Sequence, residues 1–249
     1  MSKITQEKVD TFREEKIAQE RFTLIGIIKD FFFNLMHLER KRFFYTAWDL
    51  TITPGKSIHK YVDGYRQYLY QPGEYLFVSG AVILFLTIRY KFFASDFTDT
   101  ITSFGFLLEH KEFFTNFFLY AEEYATIVNV VTIPVYTFLS WLFFINTRHN
   151  VAENLIMNTF ITAQQLLFLV ALVPLLELFP YTKSEIMTFY SIAVVLYNIW
   201  VYIEFFEDKF FPKVIKAVFI NALAFPIQFV ANVSFYYLFE PILKYLPQL

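Results

Sequence analysis

Five apolar stretches, at residues 75–93, 124–145, 155–179, 186–206 and 217–239, fill most of the chain beyond residue 74, each long enough to cross a bilayer. The hydrocarbon core is about 30 Å thick and a helix rises about 1.5 Å per residue, so about 20 apolar residues make one crossing. Some seventy charged, polar and aromatic residues precede the first stretch. The expected fold is all-α: a polytopic membrane helix bundle of about five transmembrane helices. It divides into a basic, aromatic, amphipathic cytoplasmic region over residues 1–72 and a five-span domain over residues 73–249.

Composition points the same way. Apolar residues make up 56% of the chain and charged residues 18%, against about 45–50% and about 25% in soluble domains. The 34 Phe and 17 Tyr suit a lipid-facing surface with aromatic belts at its two edges. A net charge of −2 lacks the basic excess that draws a protein to nucleic acid. With no cysteine, disulfides, thiolate metal sites and a Cys nucleophile are excluded. Residues 1–20 are strongly charged and lack the apolar run of a signal peptide. The first span is therefore expected to act as an uncleaved insertion signal.

Lys and Arg gather on the cytoplasmic side of inserted helices. Twelve of the 21 basic residues fall within residues 1–72, which places that region inside. The segment between the first two spans carries Asp96, Asp99, Glu109, Glu112, Glu122 and Glu123 and reads as outside. Arg148 and His149, then Lys209, Lys213 and Lys216, mark the inner turns. On this scheme the C-terminus is outside; Arg89 and Lys91 dissent, near a helix end from which long side chains snorkel to the interface. Residues 22–42 have the amphipathic pattern of a helix lying along the membrane or over the span ends. A second amphipathic segment, around residues 104–123, is expected on the outer side.

The spans carry polar residues at helical spacing. Asn154, Asn158 and Gln165 recur in the third, and Asn221, Gln228 and Asn232 in the fifth, around Pro226. Such a stripe must face the bundle, because hydrocarbon offers an amide no partner. Two readings are open: interhelical hydrogen bonds, or a polar cavity between the two spans. Ahead of the first span, Arg40, Lys41, Arg42, Lys56, Lys60 and Arg66 form a basic juxtamembrane cluster interleaved with Tyr61, Tyr65, Tyr68 and Tyr70. This cluster either contacts anionic lipid headgroups or does no more than set topology.

Motifs for catalysis are scarce. Gly55-Lys56-Ser57 has the tail of a phosphate-binding loop, but Leu50 stands where the first glycine is required. Pro54-Gly55 is better read as a turn ahead of an amphipathic helix. His37, His59, His110 and His149 lie on separate segments, so no metal or other cofactor is expected. His149 and Glu153, four residues apart, suit a contact at a helix start. Glu177 and Glu204 fall near span ends, within reach of water.

Several ordered elements carry a family resemblance. They are Arg21-Phe22-Thr23, Thr46-Ala47-Trp48-Asp49-Leu50, Pro54-Gly55-Lys56, Tyr61-Val62-Asp63-Gly64-Tyr65-Arg66 and Tyr70-Gln71-Pro72, followed by Asn150-Val151-Ala152-Glu153-Asn154-Leu155. In this order they resemble an uncharacterised family of bacterial multi-pass membrane proteins. The resemblance implies a bacterial inner-membrane address and a topology, with no activity to carry over. Two departures stand out: the zinc ribbon of many members is absent, and Asn154 replaces the usual His. The leading expectation is a non-enzymatic scaffold or interaction module of unknown protein partner. The alternatives are a small-molecule or lipid transporter and, third, a membrane-embedded lipid-modifying enzyme.

Overall fold

A computed structural model of the chain describes residues 40–90, 125–179 and 182–243. Seven helices are defined there: α1 (Arg40–Ile52), α2 (Pro54–Val62), α3 (Pro72–Tyr90), α4 (Ala125–Phe143), α5 (Val151–Leu178), α6 (Lys183–Phe205) and α7 (Phe210–Leu243). Every regular element among the described residues is helical. Three stretches, Val151–Leu178, Glu185–Phe205 and Phe210–Leu238, are long and apolar enough to cross a membrane, and shorter apolar helices occupy Pro72–Thr87 and Val130–Phe143. Most of the amphipathic segment at residues 22–42, and all of the one around residues 104–123, lies outside the described residues.

α5 is the central helix. Half of its apolar window is buried within the protein, against 22% in α6 and in α7. The burial is concentrated in its first half, where Ile156, Met157, Asn158 and Phe160 are almost wholly enclosed. The start of α5 is set by a capping box: the Asn150 side chain accepts from the Glu153 amide at 2.9 Å, and the Glu153 carboxylate accepts from the Asn150 amide at 2.8 Å. Two of the amides that a helix start leaves unpaired are satisfied this way. The Asn150-to-Leu155 motif is thus a helix-start signal in physical terms.

α1 and α2 are packed into the same core. Leu50 and Ile58 are fully buried alongside Tyr75, Phe160, Tyr202 and Phe205. Pro54 opens α2, where its missing N–H costs nothing. Thr53 provides no side-chain cap; the Glu204 carboxylate of α6 accepts from the amides of Gly55 (3.1 Å) and Lys56 (3.4 Å) instead. A carboxylate at a helix N-terminus meets both the free N–H groups and the positive end of the helix dipole. Gly55 makes the approach possible, since a Cβ there would lie 2.3 Å from Glu204 Cβ and 2.5 Å from the Val201 carbonyl oxygen. Gly64 ends the hairpin at φ 111°, a backbone state open to glycine and costly for other residues.

The depth of α1 follows from its partners. The Tyr75 hydroxyl, in the first turn of α3, donates to Gln164 of α5. Gln164 in turn donates to Thr51 Oγ1 at 2.9 Å and to the Ala47 carbonyl at 3.2 Å. Tyr197 of α6 donates to the Leu50 carbonyl at 2.9 Å, and the Tyr70 amide to Thr46 Oγ1 at 2.7 Å. α1 therefore lies level with the start of α3. Its outward face carries Phe44, Trp48 and Ile52, exposed by 72%, 68% and 48%.

Replacing Gly55 by alanine forces α2 off α6 and should cost about 1–3 kcal/mol, the usual penalty for overpacking. A thermal melt of purified protein should show a clear drop for Gly55→Ala. A Leu84→Ala change on the exposed face of α3 should leave the midpoint nearly unmoved. Equal melting of Gly55→Ala and the parent chain would contradict the close approach.

Candidate functional site

The polar side chains of α5 are tied to α4 and α6 and, through Asn198, to α7. Nearest its start, Asn154 donates to the Asn150 carbonyl and accepts from Ser140 Oγ of α4, both at 2.9 Å. One turn further, Asn158 donates to Ser140 Oγ at 3.1 Å and to the Asn154 carbonyl at 2.9 Å. Its Oδ1 accepts from the Tyr202 hydroxyl of α6 at 2.9 Å. Higher up, Gln165 donates to Asn198 Oδ1 of α6 at 2.5 Å, and Asn198 donates to Asn221 Oδ1 of α7 at 3.0 Å. Asn221 closes this chain on the Ala217 carbonyl at 2.8 Å.

Of the six stripe residues, Asn154, Asn158, Asn221 and Asn232 are buried, while Gln165 and Gln228 are half-buried. The first two form one network with α4 and α6. Gln165 and Asn221 join a second one through Asn198. Gln228 and Asn232 enter neither network. Ser140, Gln164, Asn198 and Tyr202 were missed as members by sequence reasoning. Gln164 falls off the stripe because neighbours on a helix are turned about 100° apart. Asn198 is a lone amide in an apolar span, and lone amides carry no periodic signal.

A second polar cluster lies at the C-terminal ends of α2 and α6. His59 Nδ1 contacts the Phe205 carbonyl oxygen at 2.8 Å, and its Nε2 lies 3.1 Å from Asp63 Oδ2. Arg148 Nη2 stands 2.9 Å from Asp63 Oδ1 and 3.5 Å from Glu207 Oε1. His149 is buried, its ring centroid 4.4 Å from that of Phe205, and its Nδ1 is 3.5 Å from Glu153 Oε2. In the α6–α7 turn, a 2.6 Å hydrogen bond from Lys216 holds the Asp208 carboxyl below its ordinary range, aided by the Lys209 amide. Among the described residues no group of three His, Asp or Glu is disposed to hold a metal ion. The cluster fastens α2 to the turns between spans.

The basic residues ahead of α3 are spread over this region. Lys56 is exposed, with Nζ 4.0 Å from Glu204 Oε1, and Lys60 is exposed on α2. Arg42 and Arg66 are half-buried. The side chains of Arg40 and Lys41 lie outside the described residues. Beside Lys60 opens a groove of about 470 Å³, lined by Tyr45 and Asp49 of α1, Ser57 of α2, and Tyr65 and Tyr68 of the following turn.

Residues 40–85, which run from the start of α1 through most of α3, match a family model described as "Protein of unknown function (DUF3667)". That stretch contains the hairpin, the groove and Gly55. No curated protein and no solved structure matches the chain.

The Asn158–Tyr202 bond should be measurable by a double-mutant cycle. Asn158→Leu and Tyr202→Phe should couple by about 0.5–1.7 kcal/mol, the range of interhelical hydrogen bonds in membrane proteins. Strict additivity of the two changes would show that the bond contributes nothing.

Proposed function

We propose that the chain is a five-span protein of the bacterial inner membrane, N-terminus inside, that acts as a non-enzymatic interaction module through its α1–α2 hairpin. The spans on this reading are α3 to α7, and the hairpin lies at the inner surface. One observation carries the reading. The central polar groups of α5, together with Asn198 and Asn221, are joined to one another and to neighbouring helices by direct hydrogen bonds. Amides paired in this way hold a bundle together and leave few groups to serve a solute. The hairpin instead turns aromatic and charged side chains outward. Lys56 and Lys60, with Arg40, Lys41, Arg42 and Arg66, supply attraction to anionic headgroups of about 1 kcal/mol for each residue close to the surface.

Transport is the second reading, and one observation favours it. Gln228 and Asn232 make no side-chain hydrogen bond among the described residues, although Asn232 is only 8% exposed. A wet path beside α7 would account for them.

The natural absence of cysteine allows a direct test with single cysteines and a membrane-impermeant thiol reagent. Cysteines replacing Asn158, Gln165, Gln228 and Asn232 should stay unlabelled, while one replacing Tyr65 should react from the inner side alone. Positions 209 and 249 should react from opposite sides. Labelling at Gln228 and Asn232 from both sides would replace this reading with transport.

A further inference from the structure

We propose that the groove between α1 and α2 is a specific site for a zwitterionic phospholipid whose headgroup carries a primary ammonium, of the phosphoethanolamine type. The two charged side chains lining it, Asp49 and Lys60, are opposite in sign and do not pair with each other. Among the described residues neither makes a side-chain hydrogen bond or ion pair, and the same holds for the hydroxyls of Tyr45, Tyr65 and Tyr68. Five polar side chains thus face one groove of about 470 Å³, within the size range of small-molecule sites. An exposed pair of opposite charges gains little by closing on itself, so both groups stay available to a ligand. Held apart across a groove, they match a ligand that carries both signs.

The parts of such a headgroup have distinct seats. A primary ammonium donates three hydrogen bonds, and Asp49 with the phenol oxygens offers acceptors for them. An ammonium seated over the face of one of these tyrosines would gain cation–π attraction as well. The phosphate falls to Lys60, a compact point charge suited to it. Within the groove a purely anionic headgroup is a poorer match, since Asp49 repels it there, whereas the basic residues outside the groove attract any anionic lipid without selecting one.

The rest of the lipid is accounted for by α1. Phe44, Trp48 and Ile52 recur every four residues and so form one apolar stripe, exposed on the same helix that supplies Tyr45 and Asp49. That helix is level with the start of α3, where the first apolar helix begins. Acyl chains along this stripe would leave the headgroup beside the groove. The inference rests on the membrane-surface position proposed above for the hairpin.

Native mass spectrometry of the full chain in detergent tests it, using equal amounts of phosphatidylethanolamine and phosphatidylglycerol. The assay does not depend on orientation, so a wrong topology and a wrong ligand give separate failures. Phosphatidylethanolamine should be retained about tenfold more strongly, and Asp49→Asn should remove that preference. Lys60→Gln should weaken phosphatidylethanolamine by a similar factor, with the melting temperature of both variants unchanged. Equal retention of the two lipids, or a preference that survives Asp49→Asn, would overturn the proposal. Soluble phosphoethanolamine at millimolar concentration should fail to displace the lipid; displacement would assign the site to a free zwitterion and overturn the lipid assignment.

Discussion

The seat of α2 against the end of α6 is the contact on which the hairpin and its groove depend. Gly55 lets two helix backbones approach more closely than any side chain would allow. At that spacing Glu204 reaches the amides of the first turn of α2, a carboxylate placed where both hydrogen bonding and the helix dipole favour it. With the start of α2 fixed, His59 one turn later meets the Phe205 carbonyl, and Asp63 meets Arg148 at the far end. α1 is then carried against Tyr197 and Gln164. Its aromatic face is left outward, and Asp49 and Lys60 are set on opposite helices of one groove. A shift of α2 would disturb all of these together.

The polar groups of the spans answer to a different constraint. An amide left without a partner in an apolar interior costs several kcal/mol, and most of those carried by α5 are met by a neighbour. α5 does this at three levels, through Ser140 and Tyr202, through Asn198, and through Tyr75 with the hairpin. Helix contacts of this kind contribute modestly one by one, but they fix which faces meet and in what register. Aromatic packing at the C-terminal ends of α4 and α6 adds to it, with the rings of Phe144 and Phe206 stacked at 3.8 Å and Lys216 over Phe144 at 5.0 Å.

Much of the helical architecture is legible in the sequence because length and apolarity alone decide whether a stretch can span. α5 begins earlier than its apolar run, at Val151 instead of residue 155, because Asn150 and Glu153 cap it there. Periodicity brings out the polar face of α5, since residues three and four apart share a side. It cannot name their partners, because pairing depends on how helices are placed around one another. Asn198 shows this, the one amide side chain of α6. Pro54-Gly55 is readable as a turn before a helix, but the close approach to Val201 that requires glycine is a tertiary fact. Glu204 reads as a charge at a span end near water, and its role as the cap of a helix about 150 residues earlier in the chain has no local signal. Residues 1–72 read as a region apart, yet Leu50, Ile58 and Tyr61 share the core of the bundle.

The match to a family of unknown function over residues 40–85 falls on the hairpin and the helix that follows it, and brings no activity with it. The groove and its neighbours exist only if the hairpin is seated in the bundle. Cysteine pairs give the most direct answer, since the chain has no cysteine of its own. Thr51→Cys with Gln164→Cys joins α1 to α5 at a place where the native side chains are 2.9 Å apart. Ser140→Cys with Asn154→Cys, at an equal separation, serves as the control within the spans. Short thiol crosslinkers added to native membranes should join both pairs within one chain. A control pair that links readily while the Thr51 and Gln164 positions never do would contradict a hairpin packed against α5.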